Sequence, residues 1–216
     1  MKIVCISDMH GYLPKDIPDG DCLVIAGDIC PAHNHTVEYQ EGFLDDRFNN
    51  WLDSLPYKHV VCIAGNHDWV FERGRPPFIH CNYLQDTSVV LDGVKFYGYP
   101  HTPMFCNWAF NETHENLVIA ANKIPEDTDV LITHGPPYGI LDSVTDPKWK
   151  NRAKDLGCKA LRDRVDNLPN LKLSIFGHIH SSKGNKRVGD TTFVNASYIN
   201  EQYEHTDDYN PFVVDI

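Results

Sequence analysis

Short runs rich in valine and isoleucine recur along the chain, each closing on a polar or glycine signal: residues 3–7, 22–26, 60–64, 130–133 and 171–176. Near-continuous apolar runs of this length are the mark of strands covered on both faces. Between them the period changes. Leu44, Phe48, Trp51, Leu52 and Leu55 recur at helical spacing, which predicts an amphipathic helix. Cys158, Leu161, Val165 and Leu168 predict a second helix, and residues 115–123 a weaker third. Strands alternating with helices imply an α/β architecture on a layered sheet.

Around Asp92-Gly93 the pattern shifts to Val89-Val90-Leu91 and Val94-Lys95-Phe96-Tyr97, two alternating runs about a hairpin dipeptide. Residues 191–195 and 212–214 also read as strands with no helix between them. Antiparallel strands therefore join the βαβ part, in a mixed sheet or a pair of sheets. No internal repeat or linker interrupts the pattern. Its 216 residues suit one domain, 1–216, with a continuous core.

Composition narrows the partners. A formal net charge of −11 repels the backbone of long nucleic acids and favours small phosphorylated substrates. The apolar run at the start is too short for a signal peptide or a spanning helix, so no membrane association is expected. The seven cysteines are an odd number and several lie inside strand-like runs, so they read as buried hydrophobes in a reducing, cytoplasmic setting.

The ligand-type residues fall at strand ends. Asp8 and His10 follow the first run, Asp28 the second, Asn66 and His67 the third, His134 the fourth, and His178 and His180 the fifth. In open α/β sheets, ligands bind beyond the carboxyl ends of strands, which gathers these side chains on one edge. Carboxylates, imidazoles and an amide oxygen suit Mn, Fe, Zn, Co or Ni better than Ca or Mg. Seven such donors exceed one tetrahedral ion and suit two divalent ions sharing a carboxylate, which together activate a bridging water and clamp a phosphoryl group.

Asp8-Met9-His10, Gly27-Asp28, Gly65-Asn66-His67-Asp68, Thr133-His134-Gly135 and Gly177-His178-Ile179-His180 resemble, in order, the five motifs of the calcineurin-like metallophosphoesterases. The stretches Asp45-Asp46-Arg47-Phe48-Asn49-Asn50-Trp51-Leu52, Asn107-Trp108-Ala109-Phe110-Asn111, His134-Gly135-Pro136-Pro137-Tyr138-Gly139 and Phe193-Val194-Asn195-Ala196-Ser197 are similar to the metallophosphoesterase-domain-containing subfamily. The resemblance implies a four-layer α/β/β/α sandwich of two mixed sheets flanked by helices. It implies a first ion on Asp8, His10 and His180, a second on Asn66, His134 and His178, and Asp28 as the bridge. His67 corresponds to the family's non-ligand histidine, which contacts the phosphate and protonates the leaving oxygen, with Asp68 orienting it. Some relatives lack the first histidine of the last motif; His178 is present here, so two ions, manganese foremost, are expected.

Simpler readings exist for each residue. Asn66 also fits a turn, His67 a packed imidazole, and Asp68 a helix N-cap. The aromatic, proline-studded stretch 99–110 reads first as packing over the sheet and second as a wall for a nucleobase. His33, His35, His59, His80, His114 and His205 read as structural or solvent-facing, with His33 and His35 close enough in sequence to Asp28 to approach the site. The expected activity is hydrolysis of a small phosphodiester such as a cyclic nucleotide. A phosphomonoesterase is less favoured because Ile29-Cys30-Pro31-Ala32 stands where such enzymes carry arginine. A nuclease, or a non-catalytic interaction module on the same scaffold, would fit the fold but not the acidic balance or the full donor set.

Overall fold

A computed structural model describes residues 1–74, 78–144 and 155–216. The apolar runs are strands: β1 (Lys2–Ile6), β2 (Cys22–Ala26) and β3 (His59–Ile63). These pair in parallel, extend through the short β4 (Asn82–Tyr83), and take the antiparallel β13 (Phe212–Asp215) on the other side, in the order β13-β1-β2-β3-β4.

The second sheet has six strands: β5 (Thr87–Leu91), β6 (Val94–Tyr99), β9 (Val130–Thr133), β10 (Leu173–Phe176), β11 (Gly184–Val188) and β12 (Thr191–Asn195). Their order is β11-β12-β10-β9-β6-β5, parallel in the middle and antiparallel at both edges. The β5–β6 hairpin turns at Asp92 and Gly93, whose φ values of 49° and 82° place both in the left-handed region that a two-residue hairpin turn requires. A separate two-stranded ribbon pairs β7 (Thr102–Pro103) with β8 (Asn111–Glu112).

Alternation along the strands assigns the layers. Ile3, Cys5, Val24 and Ile63 of the first sheet pack with Phe96, Val130, Ile132, Ile175 and Val194 of the second, forming the core between the sheets. The opposite residues, Val4, Ile6, Leu23 and Ile25, face the helices α1 (Val37–Phe43), α2 (Asn49–Asp53) and α3 (Trp69–Arg73). On the far side Tyr97, Tyr99, Leu131 and Phe176 pack against α4 (His114–Ala121) and α5 (Lys159–Val165). The result is the α/β/β/α sandwich. Each buried Leu, Ile, Val or Phe contributes roughly 1.5–3 kcal/mol of transfer free energy, so three such clusters hold the layers together.

Three differences from the sequence expectation have local causes. The first helix begins earlier than its apolar stripe, and α1 passes into α2 through a π-helical turn, Leu44–Phe48. That turn inserts a residue, and Leu44, Phe48, Trp51 and Leu52 all remain buried. The fifth run starts at Leu173, because Leu171 and Lys172 form the approach to the strand. Cys106 is exposed and Cys81 only half-buried, unlike the other five cysteines. Among the described residues, no helix is long and apolar enough to cross a membrane.

Candidate metal centre

The parallel strands β1, β2 and β3 end together, as do β9, β10 and β12, and backbone hydrogen bonds join the two edges. Ser7 N–H donates to Ala196 O at 2.9 Å and Tyr198 N–H to Ser7 O at 2.8 Å, and within the edge of the second sheet Gly177 N–H donates to His134 O at 2.9 Å. Strand ends from both sheets therefore open onto one locus. The chain turns sharply there: Asp8, His10, Asp28 and His178 all adopt left-handed backbone conformations, with φ of 52°, 44°, 52° and 68°. Non-glycine residues take this conformation at a cost, and such residues cluster at functional sites.

Asp8 is fully buried, and its carboxylate accepts the Ser197 hydroxyl at 2.7 Å and the His178 N–H at 3.0 Å. His180 Nε2 lies 3.5 Å from its other oxygen. The Asp28 Oδ2 atom stands between two imidazoles, 3.5 Å from His10 Nε2 and 3.4 Å from His134 Nε2, and its Oδ1 accepts the His67 N–H at 2.7 Å. Asn66 Oδ1 faces His134 Nε2 at 2.7 Å and His178 Nδ1 at 2.8 Å. Ligand atoms of Asp8, His10 and His180, and likewise of Asp8, Asp28 and His134, lie within 4.8 Å of one another. All seven expected donors thus meet. Asp28 reaches one histidine of each expected set, and Asp8 also belongs to both groups.

The outer atoms orient the inner ones. The Nδ1 atoms of His134 and His180 each lie 3.0 Å from a backbone carbonyl, of Ala26 and Asn200, so Nδ1–H donates outward and Nε2 faces the carboxylates. Burial disfavours charge on these two rings, but Asp28 and Asp8 outweigh it and push both up to about 9. In turn, burial alone raises the two carboxyls, yet His180 holds Asp8, and His134 holds Asp28, well below the usual carboxylate range. Removal from water drives His10 and His178 down to about 3. Neither ring nitrogen of His10 has a hydrogen-bond partner although both are buried. A buried imidazole lone pair that faces a carboxylate oxygen without a proton between them is costly unless a cation sits there. The donor set therefore fits divalent cations, with protons on His134 and His180 as their competitors.

Asp68 has a different role from the expected one. Its carboxylate accepts N–H groups from Ile29 at 3.1 Å, Cys30 at 2.8 Å and Gly65 at 2.8 Å, so it ties the loop after β2 to the loop after β3. It stands at the start of α3 but makes no side-chain cap bond, and it does not reach the His67 ring. Burial and nearby Asp28 push it up to about 6 against the pull of those three N–H groups. His67 Nδ1 instead lies 2.9 Å from His35 Nε2. His67 is itself held neutral, chiefly by burial.

Around the centre stand rings that no strand-end signal marks. Tyr203, in a left-handed conformation with φ of 62°, lies 4.8 Å from the His10 ring and 5.7 Å from that of His180. Trp108 lies 4.7 Å from His67. Stretch 99–110 is packed at its ends, where Tyr99, Ala109 and Phe110 are buried, while Met104 and Phe105 at its tip remain 63% and 59% exposed. It is packing and rim at once.

The family model for calcineurin-like phosphoesterases matches residues 1–182. The human "Metallophosphoesterase domain-containing protein 1" is 35% identical over an alignment covering 100% of this chain and 71% of its own length. The "UPF0046 protein K07C11.7" of Caenorhabditis elegans is 33% identical, covering 93% and 71%. Among solved structures, the phosphopantetheinyl hydrolase of Mycobacterium tuberculosis superposes with a TM-score of 0.57 at 15% identity, over 94% of this chain and 90% of that one. Such a likeness concerns the fold alone.

Proposed function

The chain belongs to the calcineurin-like phosphoesterase family, and on that footing we propose that this phosphoesterase hydrolyses small phosphodiesters, cyclic nucleotides foremost, at a dinuclear metal centre. Asp8, His10 and His180 would hold one ion and Asn66, His134 and His178 the other, with Asp28 shared. The mixed nitrogen and oxygen donors favour manganese and also suit iron, cobalt, nickel or zinc. When bound, such ions would lower the pKa of a coordinated water and offset the negative charge of the phosphoryl oxygens.

The chain's own residues supply the rest. Ala26 and Asn200 carbonyls keep the Nε2 atoms of His134 and His180 aimed inward. Asp68 fixes the two loops that carry Asp28 and Asn66. His67, neutral and lodged between Trp108 and His10, donates its Nε2–H as a hydrogen bond to the leaving oxygen as charge develops there. The reading rests above all on the convergence of seven candidate metal-binding side chains from five strand ends, with the outer nitrogens of His134 and His180 already tied to carbonyls.

A phosphodiester carries one negative charge and a monoester close to two. The loop after Asp28 runs Ile29-Cys30-Pro31-Ala32, with Ile29 and Cys30 fully buried, and offers no arginine for the second charge. That favours the diester over the monoester. The cysteines, five of them buried, suit the reducing cytoplasm, where we place the chain.

The test is a matrix of a generic diester, a generic monoester, and 2′,3′- and 3′,5′-cyclic nucleotides, each with Mn, Co, Ni, Zn and Mg after removal of metal. A diester-to-monoester ratio above one is expected, with Asp28→Ala losing at least about 100-fold of the turnover. A ratio well below one, or wild-type turnover by Asp28→Ala in metal-defined buffer, overturns the reading.

A further inference from the structure

His67 is fixed by its main chain. Its N–H donates to Asp28 Oδ1 at 2.7 Å and its carbonyl accepts from Gln40 Nε2 at 2.7 Å, while Gln40 Oε1 accepts the Val70 N–H at 2.9 Å. The ring retains rotation about its side-chain torsions, and two uncharged tautomers are open to it. Its contacts with His10, Trp108 and Tyr203 are ring to ring, with centroids 4.9, 4.7 and 6.3 Å away. Such contacts locate the ring but do not select a tautomer. The only directional contact that the described residues offer a ring nitrogen of His67 is His35 Nε2, 2.9 Å from Nδ1. Asp68, the residue that the family resemblance pairs with His67, is fully committed to three N–H groups.

The main chain on either side of His35 forms a turn. His35 lies between Asn34 and Thr36, and Asn34 Oδ1 accepts both the Thr36 N–H at 3.0 Å and the Thr36 hydroxyl at 2.9 Å, closing a tight turn immediately before α1. Its ring centroid stands 4.9 Å from that of His67. Where two imidazoles meet nitrogen to nitrogen, one proton lies between them, and the ring that donates it determines the partner's tautomer.

We propose that His35 is the positioning residue for His67: its Nε2–H donates to His67 Nδ1, which leaves the His67 proton on Nε2, facing the centre. This rests on the proposed reaction, in which the Nε2–H meets the leaving oxygen. A ring in the other tautomer presents a bare lone pair to that oxygen and repels it. The effect of His35 therefore depends on how much charge the leaving oxygen develops: large for an alkoxide, small for p-nitrophenolate.

The experiment compares wild type, His35→Ala and His35→Gln, the last because a glutamine amide offers an N–H near the position of Nε2. In the metal-free proteins, long-range proton–nitrogen correlation spectra read the His67 tautomer directly, with the signal assigned by its loss in His67→Asn. Expected are an Nε2-protonated His67 in wild type and His35→Gln, and a mixture of tautomers in His35→Ala. With manganese, kcat of His35→Ala should fall about 10- to 100-fold on a diester with an alkyl leaving group and less than about threefold on a p-nitrophenyl diester, with KM little changed and His35→Gln close to wild type. A wild-type His67 protonated on Nδ1 overturns the proposal. So does an equal loss on both esters, or none on either, and in those cases wild-type turnover leaves the reaction itself standing. If wild type turns over no ester with any metal, the proposed reaction fails and the spectra alone decide the tautomer.

Discussion

Gly177→Ala tests whether the centre is built as tightly as its distances indicate. An added Cβ at this position would overlap Asp8 Oδ2 and Ser7 Oγ and lie 2.7 Å from Ser7 Cβ, against roughly 3.5–4.0 Å for an ordinary carbon contact. None of these neighbours is free to withdraw. Asp8 is held by the Ser197 hydroxyl and the His178 N–H, Ser7 Oγ donates to Ala26 O at 2.9 Å, and Gly177 itself donates to His134 O. Overpacking of this kind costs about 1–3 kcal/mol. Loss of one hydrogen bond to the ionised Asp8 adds about 1.5–3 kcal/mol. The sum, roughly 2.5–6 kcal/mol, corresponds to a fall of about 5–24 °C in unfolding temperature for a chain of this size. Displacing the Asp8 carboxylate should also weaken manganese binding by about 10- to 100-fold. The assays are thermal unfolding of the metal-free protein and calorimetric titration with manganese. Gly42→Ala is the control: its Cβ would meet nothing within 4 Å, and helix propensity predicts a gain of about 0.5–1 kcal/mol. A Gly177→Ala protein that unfolds within about 2 °C of wild type and binds manganese within about threefold would refute the reasoning.

Two further outcomes are expected. Metal-free protein should be most stable near pH 6.5. His134 and His180, pushed up to about 9, contribute stability that is complete below the unfolded histidine value of about 6.5 and is lost as pH rises through 9. His10 and His178, pushed down to about 3, must charge on unfolding below about 6.5, so stability also falls toward acid, as it does when Asp8 and Asp28 protonate. Asp68, raised to about 6, opposes this between roughly 4 and 6, where His10 and His178 act against it, and Asp8 and Asp28 add their loss only below about 4. Unfolding temperatures that rise steadily from pH 6.5 to 9 would count against the proton-for-cation exchange at the centre. Phe96→Ala, which empties a fully buried position between the sheets, should cost about 3–5 kcal/mol by denaturant titration; a cost under about 1 kcal/mol would contradict the two-sheet core.

What the sequence made legible was whatever it repeats or concentrates. Strands buried on both faces carry apolar residues at nearly every position, so β1, β2, β3 and β9 stand out and their ends locate Asp8, Asp28, Asn66 and His134. The Asp92-Gly93 turn was equally visible, since few residue pairs accept two left-handed conformations in succession. His35 was marked only by its closeness in sequence to Asp28, and its pairing with His67, the place of Tyr203 and the true partners of Asp68 were not legible. His35 reaches His67 across 32 positions of sequence, from a loop whose path depends on Asp68 gripping Ile29 and Cys30. Tyr203 follows the last motif by more than twenty residues and has no period of its own. The pairing of Asp68 with His67 is what the family resemblance implies, but the carboxylate faces three backbone donors and satisfies those instead.

The left-handed turns at Asp8, His10, Asp28 and His178 set a direction for the protein's evolution. At His10, whose two ring nitrogens make no hydrogen bond, a glycine adopts the same backbone without strain, a relief of about 1 kcal/mol. Loss of this one donor is therefore close to neutral for folding, whereas loss of Asp8 or Asp28 strips His180 and His134 of their partners. Mutation alone drifts such a scaffold toward a well-folded protein that has lost its chemistry, and only selection on turnover holds His10 in place.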